Sequence, residues 1–203
     1  MSFTSRRTRG LAISSETVRT LREGLGDRSI VLIGLMGAGK SSVGRRLAAC
    51  LELPFVDADD EIEAAAGKSI SDIFEEHGED YFRDGERRVI HRLLKGGPQI
   101  LATGGGAFMN SETRQTICEN GIAVWLKADV ELLAKRVRRR NTRPLLQGKD
   151  VHAVLSALMR VRHPVYGEAD FTIESKDVPH EVIVSEIVSA LSQSSALRDS
   201  RRV

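Results

Sequence analysis

The feature that most constrains this chain is one octapeptide, Gly34-Leu35-Met36-Gly37-Ala38-Gly39-Lys40-Ser41. It satisfies the GxxxxGK[ST] pattern in full. Glycines at this spacing let successive backbone N–H groups turn inward around phosphate oxygens, and a helix opening at the end of the loop adds its positive pole. In that arrangement the Lys40 ammonium reaches the β- and γ-phosphates and the Ser41 hydroxyl binds Mg2+. The pattern carries most weight between a strand and a helix. Residues 29–34 form a short apolar run ending in glycine, which predicts a buried strand. Lys40–Leu51 has helical spacing, with Val43, Leu47 and Leu51 on one face. The bland alternative is a flexible glycine turn with an incidental lysine, which would not require both flanks.

The alternation continues along the chain. Further strands are predicted at 54–57, 99–103, 122–126 and 171–174, and helices at 59–66, 70–77, 79–95, 111–119, 129–139, 151–162 and 179–191. Ser69 with Asp72 three residues later forms a capping-box pattern that opens the 70–77 helix. Segment 140–150 has loop chemistry. Short strands alternating with helices predict an α/β fold, a three-layer α/β/α arrangement around a five-stranded parallel sheet. In such sheets ligands bind beyond the carboxyl ends of the strands. No repeat or linker divides the chain, so a single domain is expected over 29–193. Residues 1–28 read as a basic, partly disordered extension, with a short helix around Ser15–Leu25, and 194–203 as a polar tail.

Composition narrows the partners. Lys+Arg 30 against Asp+Glu 28 supplies no global field for nucleic acid, and 4% aromatic residues give the arginine cluster at 136–143 no stacking platform. Cys50 and Cys118 lie far apart, without metal-ligand spacing, and read as free thiols in a reducing compartment. No apolar stretch approaches the roughly 20 residues a membrane span needs. A cytoplasmic monomer without nucleic-acid or membrane partners is the expectation. Arg6, Arg7 and Arg9 without an acid in the first ten residues also suit an organelle transit peptide, but Glu16 and Glu23 favour a basic tail followed by a helix.

A second set of residues could carry an acceptor. Asp57 and Asp59 end the second strand, and a period of two would put both carboxylates on one side of an extended segment. One could then attend Mg2+ while the other faces a nucleophilic hydroxyl; helix capping is the competing reading. Gly104-Gly105-Gly106 follows the third strand and allows close backbone approach to a ligand, or is simply a flexible turn. Arg83, Arg143 and Arg162 stand apart from the ordinary surface arginines by their local sequence. Guanidinium forks suit a carboxylate substrate, and an arginine carried on a lid suits a transferring phosphoryl group.

Taken together, GLMGAGKSSVGRRLA, FVDADDEIE, SISDIFEEHGEDYFRDGE, TGGGAF, RPLL and RHPVYGEAD resemble the shikimate kinase family from residue 29 to 191. The resemblance implies a fold of the nucleoside-monophosphate-kinase type and transfer of the γ-phosphate of ATP to shikimate. It implies that Gly37, Ala38, Gly39, Lys40, Ser41 and Ser42 bind ATP phosphates, with Ser41 and Asp57 attending Mg2+. Asp59 would bind the shikimate hydroxyls and serve as base. Arg83 and Arg162 would hold the carboxylate, with Glu86 orienting Arg83. Gly104, Gly105 and Gly106 would line the substrate site. Arg143 would contact ATP from a lid at 138–153, and the substrate-binding region would span 59–92. Arg136 matches an arginine near the adenine, and Pro179 falls where the adenine-side loop begins.

Other readings remain open on the residues alone: a kinase for gluconate or a nucleotide, or a silent P-loop binding module. A GTPase is disfavoured because no NKxD-type guanine signature occurs. A silent module would be expected to have lost Lys40, Asp57 or Asp59, and all three are present.

Overall fold

The computed structural model of the chain describes residues 13–138 and 150–194. Five strands, β1 (Ser29–Ile33), β2 (Phe55–Asp57), β3 (Ile100–Ala102), β4 (Gly121–Lys127) and β5 (Phe171–Glu174), form one sheet in the order β2-β3-β1-β4-β5. Every pairing is parallel. A parallel sheet is buried on both faces, which is why β1 reads SIVLI and is buried at every position. From β1 the chain crosses to the edge strand β2, returns through β3 beside β1, and then passes to β4 on the other side and out to β5. The carboxyl end of β1 is therefore the switch point at which such sheets take ligands.

The flanking helices are α1 (Ser15–Leu25), α2 (Lys40–Leu51), α3 (Ala58–Ala66), α4 (Ile70–Leu94), α5 (Ser111–Asn120), α6 (Val130–Arg138), α7 (Val151–Tyr166) and α8 (His180–Gln193). Of these, α1, α2 and α8 pack against one another. The main core joins β1, β3 and β4 to apolar faces of these helices, among them Leu47 and Leu51 of α2 and Ile183 and Ile187 of α8. Leu21 and Leu25 of α1 belong to it too, so the packed core reaches upstream of the expected boundary at Ser29. A second cluster, Ile62, Ile73 and Phe82, joins α3 to α4 separately from the main core. The region at 59–92 thus carries its own small apolar centre.

As expected, α4 consists of two helical segments broken at Gly78, whose φ of 82° and ψ of −179° are non-helical. One element differs from expectation: α7 runs past Arg162 and through Pro164 to Tyr166. Proline costs a helix one N–H bond, and here the last turn is held instead by burial of Tyr166, which is 1% exposed.

Candidate active site

The loop after β1 is built to present its backbone. Gly39 sits at the N-cap of α2 with φ 97°, a left-handed conformation that residues with a Cβ rarely take. Lys40 donates its ammonium to the carbonyls of Gly34 (2.8 Å) and Leu35 (3.2 Å), which holds the charge over the loop. A phosphate oxygen offers the same ammonium a stronger, charge-assisted acceptor. Gly37, Gly39, Lys40, Ser41 and Ser42 all line a cavity of about 290 Å³. Ala38 does not line it. Its side chain is buried, and its carbonyl accepts the Ser175 hydroxyl at 2.8 Å.

Asp57 performs two tasks at once. Its Oδ2 accepts the Ser41 hydroxyl at 2.6 Å, and its Oδ1 accepts the backbone N–H of Asp59 at 3.2 Å, capping α3. The capping and site readings of this residue are therefore compatible. The expected extended Asp57-x-Asp59 geometry is not what forms, because the chain turns helical at Ala58. Asp59 occupies the first turn of α3, yet both carboxylates line the same cavity.

The glycine triplet after β3 makes its contacts through lack of volume. A methyl group added at Gly104 would lie 2.5 Å from Glu86 Oε1 and 3.0 Å from Asp59 Oδ1. One at Gly105 would lie 3.3 Å from Arg162 Nη1, and one at Gly106 2.6 Å from Arg83 Nη1. Three consecutive residues are thus faced by two carboxylates, one guanidinium and another guanidinium. Gly104 and Gly105 also line the cavity that the phosphate loop lines, together with Thr103, and this joins the two halves of the site.

The arginines are held rather than loose. Arg83, on α4, donates Nη1 to Glu86 at 2.7 Å and both Nε and Nη2 to Glu79. Arg162, on α7, donates Nη1 to the Gly105 carbonyl at 2.7 Å. Glu86 is buried, and its Oε1 has no hydrogen-bond partner. Burial pushes its carboxyl above the ordinary glutamate value; Arg83 and Arg162 oppose that, and Asp59 adds to it. An uncompensated buried acceptor beside Gly104 and Asp59 is a place where a hydroxyl or water could bind with gain.

Arg136 braces the far side. It donates Nη1 to the Ser175 hydroxyl (2.9 Å) and Nη2 to the Lys176 carbonyl (2.7 Å), and it lines the cavity with Asp177, Val178 and His180. Pro179, between two lining residues, is the N-cap of α8. Arg143 and most of the lid at 138–153 lie outside the described residues. Sequence reasoning missed Ser175, His180 and Tyr166. Nothing in an SKD or VPH tripeptide marks a cavity wall, although Tyr166 stands in the RHPVYGEAD segment four residues after Arg162.

The Ser41 hydroxyl and Asp57 carboxylate converge at the phosphate loop as hard oxygen donors, which fits Mg2+. Among the described residues no cluster of three His, Cys, Asp or Glu side chains gathers around a point. Such an ion would therefore share its ligands with phosphate oxygens and water.

A shikimate kinase family model matches residues 36–192 of the chain. The chain is 62% identical over 169 residues to a shikimate kinase of Caulobacter vibrioides, covering 83% of this chain and 84% of that one. It is 57% identical over 181 residues to a shikimate kinase of Bradyrhizobium diazoefficiens, covering 89% and 87%. Among solved structures, a shikimate kinase of Acinetobacter baumannii in complex with shikimate superposes with a TM-score of 0.79 at 38% identity, covering 86% of this chain and 96% of that one.

Proposed function

The chain belongs to the shikimate kinase family, and we propose on that premise that it transfers the γ-phosphate of ATP to the 3-hydroxyl of shikimate, giving ADP and 3-phosphoshikimate. The observation that carries this reading is the glycine triplet. Gly104, Gly105 and Gly106 are faced by Asp59, Arg162 and Arg83, and Gly104, Gly105 and Asp59 line a cavity shared with Lys40. A small acid bearing hydroxyls matches that set. Its carboxylate suits two guanidinium forks, and its hydroxyl suits a carboxylate next to a phosphate cradle.

In this reading Lys40 exchanges the Gly34 and Leu35 carbonyls for β- and γ-phosphate oxygens. Ser41 and Asp57 would hold Mg2+, Asp57 directly or through water, and its positive charge would offset that on the phosphate oxygens. Asp59 orients the 3-hydroxyl in line with the γ-phosphorus and takes its proton as the new P–O bond forms and the bond to ADP breaks. Arg83 and Arg162 hold the carboxylate. Arg136 and the segment at Pro179 flank the nucleotide base. Two free cysteines suit a reducing compartment, and work in the cytoplasm is part of the proposal. No helix among the described residues is long and apolar enough to cross a membrane.

The test is ADP release with shikimate, gluconate and nucleoside monophosphates offered separately. Turnover with shikimate alone is expected; turnover with gluconate and none with shikimate overturns the reading. Asp59→Asn is expected to abolish transfer while ATP still binds, and undiminished turnover removes Asp59 from the chemistry.

A further inference from the structure

Gly105 is the joint of the site. A methyl group built there would approach the Gly34 carbonyl (3.5 Å) and the Met36 N–H nitrogen (3.6 Å) as well as Arg162, so its peptide touches the phosphate loop and α7 together. Its carbonyl accepts two hydrogen bonds, one from Arg162 and one from the Tyr166 hydroxyl. A carbonyl oxygen has two lone pairs, and both are occupied by side chains one helical turn apart on α7.

Tyr166 is built to stay where it is. It is buried, and its ring packs against Trp125 of β4, with centroids 5.8 Å apart. A buried phenol needs a partner for its O–H. Burial also pushes the phenol above its ordinary pKa, so it remains a donor at neutral pH. Arg162, by contrast, is a long side chain whose direction is set by what it bonds. One of its five N–H donors goes to the Gly105 carbonyl, so the location of that carbonyl sets the location of the guanidinium.

We propose that Tyr166 is a positioning residue for the carboxylate subsite: by fixing the Gly105 carbonyl against α7, its hydroxyl sets where Arg162 presents its guanidinium to shikimate. The inference rests on the proposed role of Arg162 as a carboxylate holder. Tyr166 does not line the cavity. Its hydroxyl acts through the Gly105 carbonyl and through its own contact with the Arg162 guanidinium, which separates it from a residue that merely fills the core.

The test compares Tyr166→Phe, Arg162→Ala and the double variant in steady-state kinetics, with shikimate and with its uncharged carboxamide. Phenylalanine keeps the ring packing on Trp125, and thermal melts verify that the fold is kept. Tyr166→Phe is expected to raise KM for shikimate several-fold while KM for ATP changes less than about twofold. The double variant is expected to be no worse than Arg162→Ala, since both act on one guanidinium. With the carboxamide, the gap between wild type and Tyr166→Phe should close. An equal rise in both KM values, a penalty that adds to that of Arg162→Ala, or a gap that persists with the carboxamide overturns the inference while leaving the Arg162 reading intact. An unchanged shikimate KM in Arg162→Ala overturns that reading and the inference with it. If Tyr166→Phe melts early, hydrogen–deuterium exchange of the wild-type triplet decides: added protection with shikimate but not the carboxamide supports the coupling, and equal protection by both refutes it.

Discussion

Ser41 donates its hydroxyl to Asp57 across 2.6 Å, joining the first residue beyond Lys40 to the last residue of β2. The same carboxylate caps α3 through the Asp59 N–H. These two tasks can be separated by choice of substitution. Asparagine caps helices about as well as aspartate but is a poor partner for a hard cation. Asp57→Asn should therefore keep its melting temperature while the Mg2+ concentration for half-maximal activity rises about 10- to 100-fold. Asp57→Ala should lose both functions, with a further cost of about 1 kcal/mol in stability. A metal titration beside a thermal melt reads both.

The glycine triplet predicts a split between neighbours. The three atoms nearest a methyl at Gly106 all belong to the Arg83 guanidinium, which a shift of that side chain's end can move aside, and Gly106 has φ −103°, which alanine tolerates. Gly106→Ala should fold normally yet raise KM for shikimate on the order of tenfold or more, because it displaces Arg83, a proposed partner of the carboxylate. A methyl at Gly104 meets the buried Glu86 carboxylate at 2.5 Å, where little can give way. Gly104→Ala should show its cost in stability as well as in turnover.

Gly78 tests the backbone alone. Its φ of 82° and ψ of −179° fall in a region reserved for glycine, and nothing lies within 4 Å of where its Cβ would be. Gly78→Ala should destabilise the protein by about 1–3 kcal/mol in urea unfolding. A neutral result would mean that the bend in α4 straightens without penalty.

His163 gives a pH dependence. Burial, with the nearby Lys127 charge, pushes its imidazole below the ordinary histidine value, and its ring packs edge-on against Trp125. The unfolded chain takes up a proton near pH 6.5, where the folded chain still resists it. Stability should therefore fall as pH drops from about 6.5 and level off once the folded pKa is passed. His163→Gln removes that contribution. Urea midpoints at pH 7.5 and 5.5 should drop further in wild type than in the variant.

The phosphate loop and the sheet were legible because their signals are local: a fixed glycine spacing in one case, and short runs four to six residues long in the other. The helix start read at Ser69 formed, with its hydroxyl accepting from Asp72 N–H and donating to the Asp72 carboxylate. The end of α7 was misjudged because Pro164 argues locally for a stop. What overrides it is tertiary: the Tyr166 ring against Trp125 and its hydroxyl on Gly105. The carboxylate pair was read from strand period, although helix geometry at Ala58 delivers it to the cavity. Ser175 and His180 were invisible because their proximity to the loop depends on where β5 and α8 are laid down, which neighbouring residues do not encode.

The hydrogen bond from Ser175 to the Ala38 carbonyl spans 137 positions of sequence. A polypeptide still emerging from the ribosome and ending short of β5 would contain the whole glycine cradle without the strut behind it. Truncation before Ser175 should therefore weaken nucleotide binding, and early fragments should hold ATP only feebly.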